Sequence, residues 1–178
     1  PMTATGRLIK AMHPDAVCVF IGPCIAKKSE VIDSITFGGA DYAMTYEELA
    51  SMFEAKNIDP EECTETMQQG SKFGKQYSVS GGVTAAVLET FKEANKEVDL
   101  KVKTCSGALE CKKALMLLKV GKLPEDFIEG MACVGGCVNG PAMLGKSRTF
   151  LKDRNGQIAK AHDRGVLENV AQYDEYGI

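Results

Sequence analysis

The sequence has no apolar run long enough to span a membrane and no segment that resembles a signal peptide. It also shows no internal repeat and no low-complexity segment. Its formal net charge is −3, so it lacks the excess of positive charge that indicates nucleic-acid binding. We therefore expect a protein with no membrane partner and no nucleic-acid partner.

Histidine is scarce, since only His13 and His162 occur among 178 residues, whereas cysteine occurs seven times. In a chain without a secretion signal, this many thiols indicates metal ligands or buried core residues before disulfides. We accordingly expect a cytoplasmic protein. With 44% hydrophobic and 25% charged residues, the chain has the composition of one ordinary domain with a hydrophobic core.

Strand and helix patterns alternate along the chain, which predicts an α/β fold with about four mostly parallel strands and helices on both faces. Residues 59–77 show no clear period and are expected to form a loop. Residues 148–160 are interpreted as a hairpin or an extended tail around Asn155-Gly156. The predicted strands cover 16–21, 41–44, 100–104 and 127–131, and the predicted helices cover 2–12, 25–32, 45–56, 80–95, 106–120 and 163–176.

Local signals add detail to this prediction. Thr45 with Glu48 three residues later forms a capping box, which predicts a helix start. Helical spacing predicts that certain apolar side chains face the core. These side chains are Leu49, Met52, Phe53, Val83, Val87, Phe91, Leu115 and Leu118.

Two thiols, Cys133 and Cys137, surround Gly135-Gly136 directly after the last predicted strand. In one helical turn, this spacing places both side chains on the same face, and the glycines leave room for a bulky inorganic group. Cys24 directly follows the first predicted strand. Since ligands gather beyond the carboxyl ends of parallel strands, three thiols would meet there if these two strands are neighbours.

An iron–sulfur cluster fits these thiols better than zinc, which usually requires a Cys-x-x-Cys knuckle or supporting histidines. Gly81-Gly82 and Gly135-Gly136 could offer backbone N–H groups to sulfides, and the helix opened by Ser80 would favour an anionic cluster. From spacing alone, Cys133 and Cys137 are equally well explained as two unligated core cysteines.

Two motifs resemble those of the iron-only hydrogenase large subunit. Residues 21–30 contain Pro-Cys-x-x-Lys-x-x-Glu, and residues 131–137 read Met-Ala-Cys-x-Gly-Gly-Cys. Asp41-Tyr42 and Ser80 to Val83 are similar to segments that lie between these motifs in the family, so the resemblance covers nearly the whole chain. It implies that residues 1–178 form a single α/β lobe of a hydrogenase catalytic domain.

The resemblance implies a cofactor, the H-cluster, in which a 4Fe-4S cubane is joined through a cysteine sulfur to a two-iron subcluster. Cys24 and Cys133 would bind the cubane, and Cys137 would bind it and bridge to the two-iron unit. Ser80, Gly81 and Gly82 would lie against the cofactor. The implied reaction is reversible H2 oxidation and proton reduction under anaerobic conditions, with an electron carrier such as ferredoxin as partner.

The same resemblance implies that Lys27 donates a hydrogen bond to a cyanide ligand, that Glu30 holds Lys27, and that Met131 packs against the bridging region. From spacing alone, Lys27 and Glu30 form an ordinary surface ion pair, and Met131 is a core residue. The remaining cysteines are interpreted differently: Cys18 as core packing, Cys105 and Cys111 as structural with a redox or ligand role left open, and Cys63 without an assigned role.

The family's Thr-Ser-Cys-Cys-Pro motif, which carries the fourth cubane ligand and a proton-relaying cysteine, does not occur in these residues. We expect a piece of a longer protein whose upstream lobe supplies them. Alone, the chain should be without cluster or hold an incomplete one, and should not turn over hydrogen.

Two departures from the family leave alternatives open. Gly22 replaces the usual Met or Thr before Pro-Cys, and residues 139–143 replace a Gly-Gly-Gly-Gln-Pro segment. The alternative function is a non-catalytic, hydrogenase-like iron–sulfur protein that senses hydrogen or redox state or assists cluster assembly. A thiol-rich α/β domain without metal is the third interpretation.

Overall fold

The computed structural model describes residues 1–33, 35, 37–62, 64 and 70–176. Cys63 and Gln68-Gln69, which the sequence analysis placed in a loop, lie outside the described residues. The chain divides into two compact units, the first formed by 1–67, 140–144 and 173–178, and the second by 68–139 and 145–172. In the described part of the chain, no helix is both long and apolar enough to cross a membrane.

The first unit is built around two short parallel strands. Val19 lies opposite Tyr42 and Ile21 opposite Met44. Asp41 fixes the start of this pairing, because its carboxylate accepts the Cys18 N–H at 2.8 Å and forms an ion pair with Lys10 at 2.6 Å. The elements are α1 (Met2–Met12), β1 (Val19–Ile21), α2 (Ala26–Ile32), β2 (Tyr42–Met44) and α3 (Tyr46–Ala55).

The predicted capping box at the start of α3 is confirmed. The Thr45 hydroxyl accepts the Glu48 N–H at 3.3 Å, and the Glu48 carboxylate accepts the Thr45 N–H at 2.8 Å. A hydrogen bond from Lys28, followed by that from Thr45, lowers the pKa of Glu48. The predicted burial of Met52 is wrong, since its side chain is 52% exposed.

The second unit also contains one parallel strand pair. The register runs from Val102 opposite Phe127 to Ser106 opposite Met131. One helix packs on both strands, and Ala114 is its buried residue. The elements are α4 (Lys72–Gln76), α5 (Gly82–Glu93), β3 (Val102–Ser106), α6 (Ala108–Lys119), β4 (Phe127–Met131), α7 (Ser147–Ala159) and α8 (Val166–Ala171).

The predicted fold class, α/β with parallel strands, is confirmed, and the described strands pair two by two, β1 with β2 and β3 with β4. The predicted inward orientation of Leu115 and Leu118 is wrong, because these side chains are 57% and 53% exposed. Helical spacing identifies an apolar face, but it does not show whether another element covers that face.

The prediction of a hairpin or extended tail at 148–160 is also wrong, since these residues form most of α7. Its half-buried stripe consists of Leu151, Arg154 and Ile158, which are three and four residues apart. A charged residue in the middle of this stripe hides the helical period, and the Asn155-Gly156 pair suggests a turn. The helix α7 packs against α4 and against the short 3-10 helix at Cys137–Asn139.

Candidate metal centre

The segment from Cys133 to Cys137, hereafter the cysteine turn, directly follows β4 in the second unit. The Gly136 N–H donates to the Cys133 carbonyl at 3.0 Å. The predicted helical turn is wrong here, because φ is +82° at Gly135 and +104° at Gly136, values that a right-handed helix does not contain. Cys133 is half-buried, and Cys137 is exposed at the start of its 3-10 helix.

Gly135 is hydrogen-bonded on both sides of its backbone. Its N–H donates to the Ser106 hydroxyl at 2.7 Å, and its carbonyl accepts the Ser80 N–H at 3.3 Å. Just beyond the turn, the Val138 N–H donates to the Ser78 carbonyl at 3.1 Å. The cysteine turn is therefore held between the end of β3 and residues 78–80, which precede α5.

Gly136 allows close approach between the cysteine turn and residues 78–80. A Cβ at this position would lie 2.5 Å from the Val79 Cα and 2.6 Å from the Ser78 carbonyl oxygen. Both neighbours are backbone atoms, which cannot move aside as a side chain can. Glycine is thus required here by space as well as by its positive φ.

The backbone N–H groups of the predicted cofactor-lining residues already have partners within the protein. That of Ser80 donates to Gly135, that of Gly81 to Glu129 at 2.7 Å, and that of Gly82 to Val79 at 3.1 Å. The Ser80 hydroxyl, by contrast, is buried without a hydrogen-bond partner among the described residues. In this segment, the hydroxyl rather than the amides is the donor that remains available.

Glu129 is a residue that the sequence analysis missed. It is 3% exposed, and its carboxylate accepts hydrogen bonds from the Gly81 N–H, the Thr84 N–H at 2.9 Å and the Thr84 hydroxyl. The signal for it was a charged residue in the centre of the apolar strand Phe127–Met131.

Cys24 lies in the first unit, half-buried after β1, and its carbonyl accepts the Lys27 N–H at 3.3 Å. The Lys27 ammonium forms an ion pair with Glu30, which also accepts the Thr3 hydroxyl at 2.9 Å. Burial by itself would raise the pKa of Glu30, but hydrogen bonds from Lys27 and Thr3 lower it overall. The pair is half-buried, with side-chain exposures of 23% and 25%, unlike a fully solvated surface pair.

The remaining described thiols lie in packed surroundings. Cys18 is 8% exposed, and Cys105 is fully buried. Burial, followed by the nearby Cys111 thiol, raises the pKa of Cys105, which favours the protonated thiol. The Cys111 sulfur lies 3.7 Å from the Met131 carbonyl oxygen. These positions agree with structural roles.

The described residues of neither unit contain a group of three or more His, Cys, Asp or Glu side chains arranged to hold a metal ion. Cys24 belongs to the first unit, whereas Cys133, Cys137, Met131 and residues 80–82 belong to the second. The two motif thiols of the second unit thus occur together on the cysteine turn, and the motif thiol of the first unit follows β1.

Comparisons with known proteins identify relatives of the chain. Residues 1–141 match the family described as iron only hydrogenase large subunit, C-terminal domain. The periplasmic Fe hydrogenase large subunit of Nitratidesulfovibrio vulgaris is 33% identical over 165 residues, covering 71% of this chain and 39% of that protein. The human nuclear prelamin A recognition factor is 42% identical over 48 residues, covering 27% of this chain and 10% of that protein.

Solved FeFe-hydrogenase structures share the fold. One, determined in work on oxygen inactivation and the H-cluster 2Fe subcluster, has a TM-score of 0.67 at 18% identity and covers 99% of this chain and 62% of its own. Another, from Chlamydomonas reinhardtii, has a TM-score of 0.59 at 19% identity and covers 93% and 59%. The chain spans only 39% of the curated hydrogenase, whereas the family match extends over most of the residues of the chain. The chain therefore belongs to the family of the iron-only hydrogenase large subunit, C-terminal domain.

Proposed function

We propose that this chain supplies three cysteine ligands to an H-cluster, Cys24 and Cys133 to the cubane and Cys137 to the cubane and the two-iron unit. The observation that carries the proposal is the cysteine turn, which presents both motif thiols on a backbone hydrogen-bonded at Gly135 from two directions. Rigid support of this kind keeps ligand atoms in place before the metal binds.

Three features of the second unit fit an iron–sulfur group. Thiolates are its usual ligands, and Cys133 and Cys137 are thiols at one turn. The backbone between the two thiols is fixed, because Gly135 and Gly136 have positive φ and Gly136 packs closely against residues 78–80. The buried Ser80 hydroxyl, which lacks a partner among the described residues, can donate to a sulfur atom.

The cofactor would supply the chemistry that interconverts H2 with protons and electrons. The chain's own residues would hold and orient its ligands. The Lys27 ammonium, fixed by Glu30, would donate to a cyanide ligand, and Thr3 orients Glu30 from α1. The half-buried Met131 would pack beside the bridging cysteine sulfur.

The rest of a hydrogenase domain is proposed as the chain's partner, because the chain spans 39% of the curated hydrogenase and about three-fifths of the solved ones. This upstream lobe would supply the fourth cubane ligand and the proton-relaying cysteine, and without it the chain would be inactive. An electron carrier such as ferredoxin would be a second partner. We place the protein in an anaerobic cytoplasm, because seven thiols suit a reducing compartment.

A second candidate function, a non-catalytic iron–sulfur protein for sensing or cluster assembly, is favoured by the surroundings of Gly22. A Cβ at this position would lie 2.8 Å from the ring of Phe20, so the Met or Thr usual in the family would require that ring to shift. Hydrogen-dependent reduction of a redox dye by the longer parent protein separates the candidates. Dye reduction supports the enzyme, and its absence in a cluster-loaded protein supports the alternative.

Anaerobic reconstitution with iron and sulfide tests cluster binding by the chain. We expect wild type to retain iron after desalting and Cys24→Ser, Cys133→Ser and Cys137→Ser each to lose most of it. Cys111→Ser serves as the matched control, since Cys111 is half-buried in the second unit but lies outside both motifs. Equal and negligible iron in wild type and variants, both in the chain alone and within the longer parent protein, would contradict the proposal and favour a domain without metal.

A further inference from the structure

We propose that Glu129 is a positioning residue that holds the cysteine turn in place through the start of α5. This inference deepens the proposed function and rests on it for its biological meaning. Glu129 lies in β4, four residues before Cys133, and is among the few buried charged or polar residues that the structure describes. A buried carboxylate is costly unless it is fully hydrogen-bonded, so its partners indicate its role.

All the observed partners of Glu129 lie at the N-terminus of α5. The carboxylate accepts the Gly81 N–H at 2.7 Å, the Thr84 N–H at 2.9 Å and the Thr84 hydroxyl. The residue that precedes the helix, Gly81, provides no capping side chain of its own. Glu129 therefore caps the helix from a neighbouring strand, and its negative charge complements the positive end of the helix dipole.

The capped segment is the one that holds the cysteine turn. Immediately before Gly81, the Ser80 N–H donates to the Gly135 carbonyl, and the Ser78 carbonyl accepts the Val138 N–H. Between them, the Val79 backbone lies against Gly136 so closely that no Cβ would fit. Fixing Gly81 consequently fixes residues 78–80, and these fix the backbone between Cys133 and Cys137.

The chain offers a matched control in Glu93. Its carboxylate accepts the Val166 N–H at 2.6 Å and the Leu167 N–H at 2.8 Å, so it also caps a helix from another element of the second unit. It makes no described hydrogen bond to the cysteine turn or to residues 78–82. Glu93→Gln should therefore perturb the start of α8 and leave the cysteine turn unchanged.

The test is hydrogen exchange of the reduced, iron-free chain, followed by mass spectrometry of its peptides. In Glu129→Gln, we expect amide exchange in residues 133–138 to accelerate at least about tenfold, the effect of losing a hydrogen bond to a charged acceptor. Exchange in β3 should stay near the wild-type rate. Thr84→Val, which removes only the hydroxyl donor, should give a smaller acceleration in the same peptides. If Glu129→Gln does not fold, the exchange of Thr84→Val tests the inference.

Unchanged exchange in residues 133–138, or equal acceleration throughout the second unit, would overturn the inference and reduce Glu129 to a general structural residue. Iron content after reconstitution is measured on the same samples. If wild type retains no iron even within the longer parent protein, the proposed function fails, while the exchange data still decide whether Glu129 holds the turn. If wild type retains iron and Glu129→Gln loses it more readily than Glu93→Gln, both proposals are supported.

Discussion

The Gly135 N–H donates to the Ser106 hydroxyl at 2.7 Å, joining the last residue of β3 to the turn between the two motif cysteines. The strand register accounts for this contact, because Ser106 pairs with Met131 and the chain then turns back past the end of β3. A parallel strand pair thus brings a short hydroxyl side chain to the backbone that carries the thiols. The position of the thiols depends on this register.

Ser106→Ala should loosen the cysteine turn. The partly buried Gly135 N–H would lose its acceptor, at a cost of about 1–3 kcal/mol. We expect lower stability in urea and faster alkylation of Cys133, measured by mass spectrometry. Ser71→Ala is the control, because it removes the cap of α4 in the same unit and should leave Cys133 alkylation unchanged. Equal Cys133 rates in both variants would argue against the role of Ser106.

Gly136→Ala should strongly destabilise the second unit, since the new methyl group would collide with the backbone of residues 78–80 and the backbone has a φ of +104°. Gly156→Ala provides the opposite case. Gly156 lies inside α7 with open space around its Cβ position, so this variant should gain about 0.5–1 kcal/mol. Urea denaturation followed by circular dichroism compares the two. A Gly136→Ala protein as stable as wild type would contradict the observed packing.

Glu30 should contribute to stability in a pH-dependent way. Its pKa is lowered from the usual 4.5 because hydrogen bonds from Lys27 and Thr3 outweigh burial. The folded chain therefore binds this proton less readily than the unfolded chain, so the contribution is present above about pH 4.5 and is lost as pH falls through the lowered pKa. The difference in unfolding free energy between wild type and Glu30→Gln should shrink over this range.

Thr3→Val serves as the companion variant in the same titration. It removes one hydrogen-bond donor to Glu30 and keeps Lys27 in place, so the pH dependence should become weaker without disappearing. A difference between wild type and Glu30→Gln that stays constant from neutral pH into the acid range would show that the ion pair does not shift this carboxyl.

Local signals in the sequence were enough to locate much of the fold. Residues 2–12 and 127–131 were predicted with the bounds that the structure has, and the Thr45 capping box marked the start of α3. The sequence did not predict α7, because its half-buried stripe includes the charged residue Arg154, which interrupts the hydrophobic period typical of a helix. Burial lowers the pKa of the Arg154 guanidinium.

The candidate site could be predicted only as far as its residue types. The spacing of Cys133 and Cys137 identified the thiols, but a helical turn was expected because a three-residue gap fits one. Gly135 and Gly136 have positive φ, and Gly136 packs against residues 78–80, which lie more than fifty positions away in the chain. Ser106 accepts the Gly135 N–H and Glu129 accepts the Gly81 N–H, and neither acceptor belongs to a sequence motif. Long-range hydrogen bonds of this kind leave little trace in one sequence.

The proposed function requires that Cys24, Cys133 and Cys137 bind one iron–sulfur centre. Alkylation of the anaerobically reconstituted chain, with each cysteine followed by mass spectrometry, tests it most directly. We predict that all three thiols are protected in wild type and that Cys133→Ser makes Cys24 react as fast as in the iron-free chain. Reaction of Cys24 at the iron-free rate in reconstituted wild type, with Cys133 and Cys137 protected, would contradict the claim.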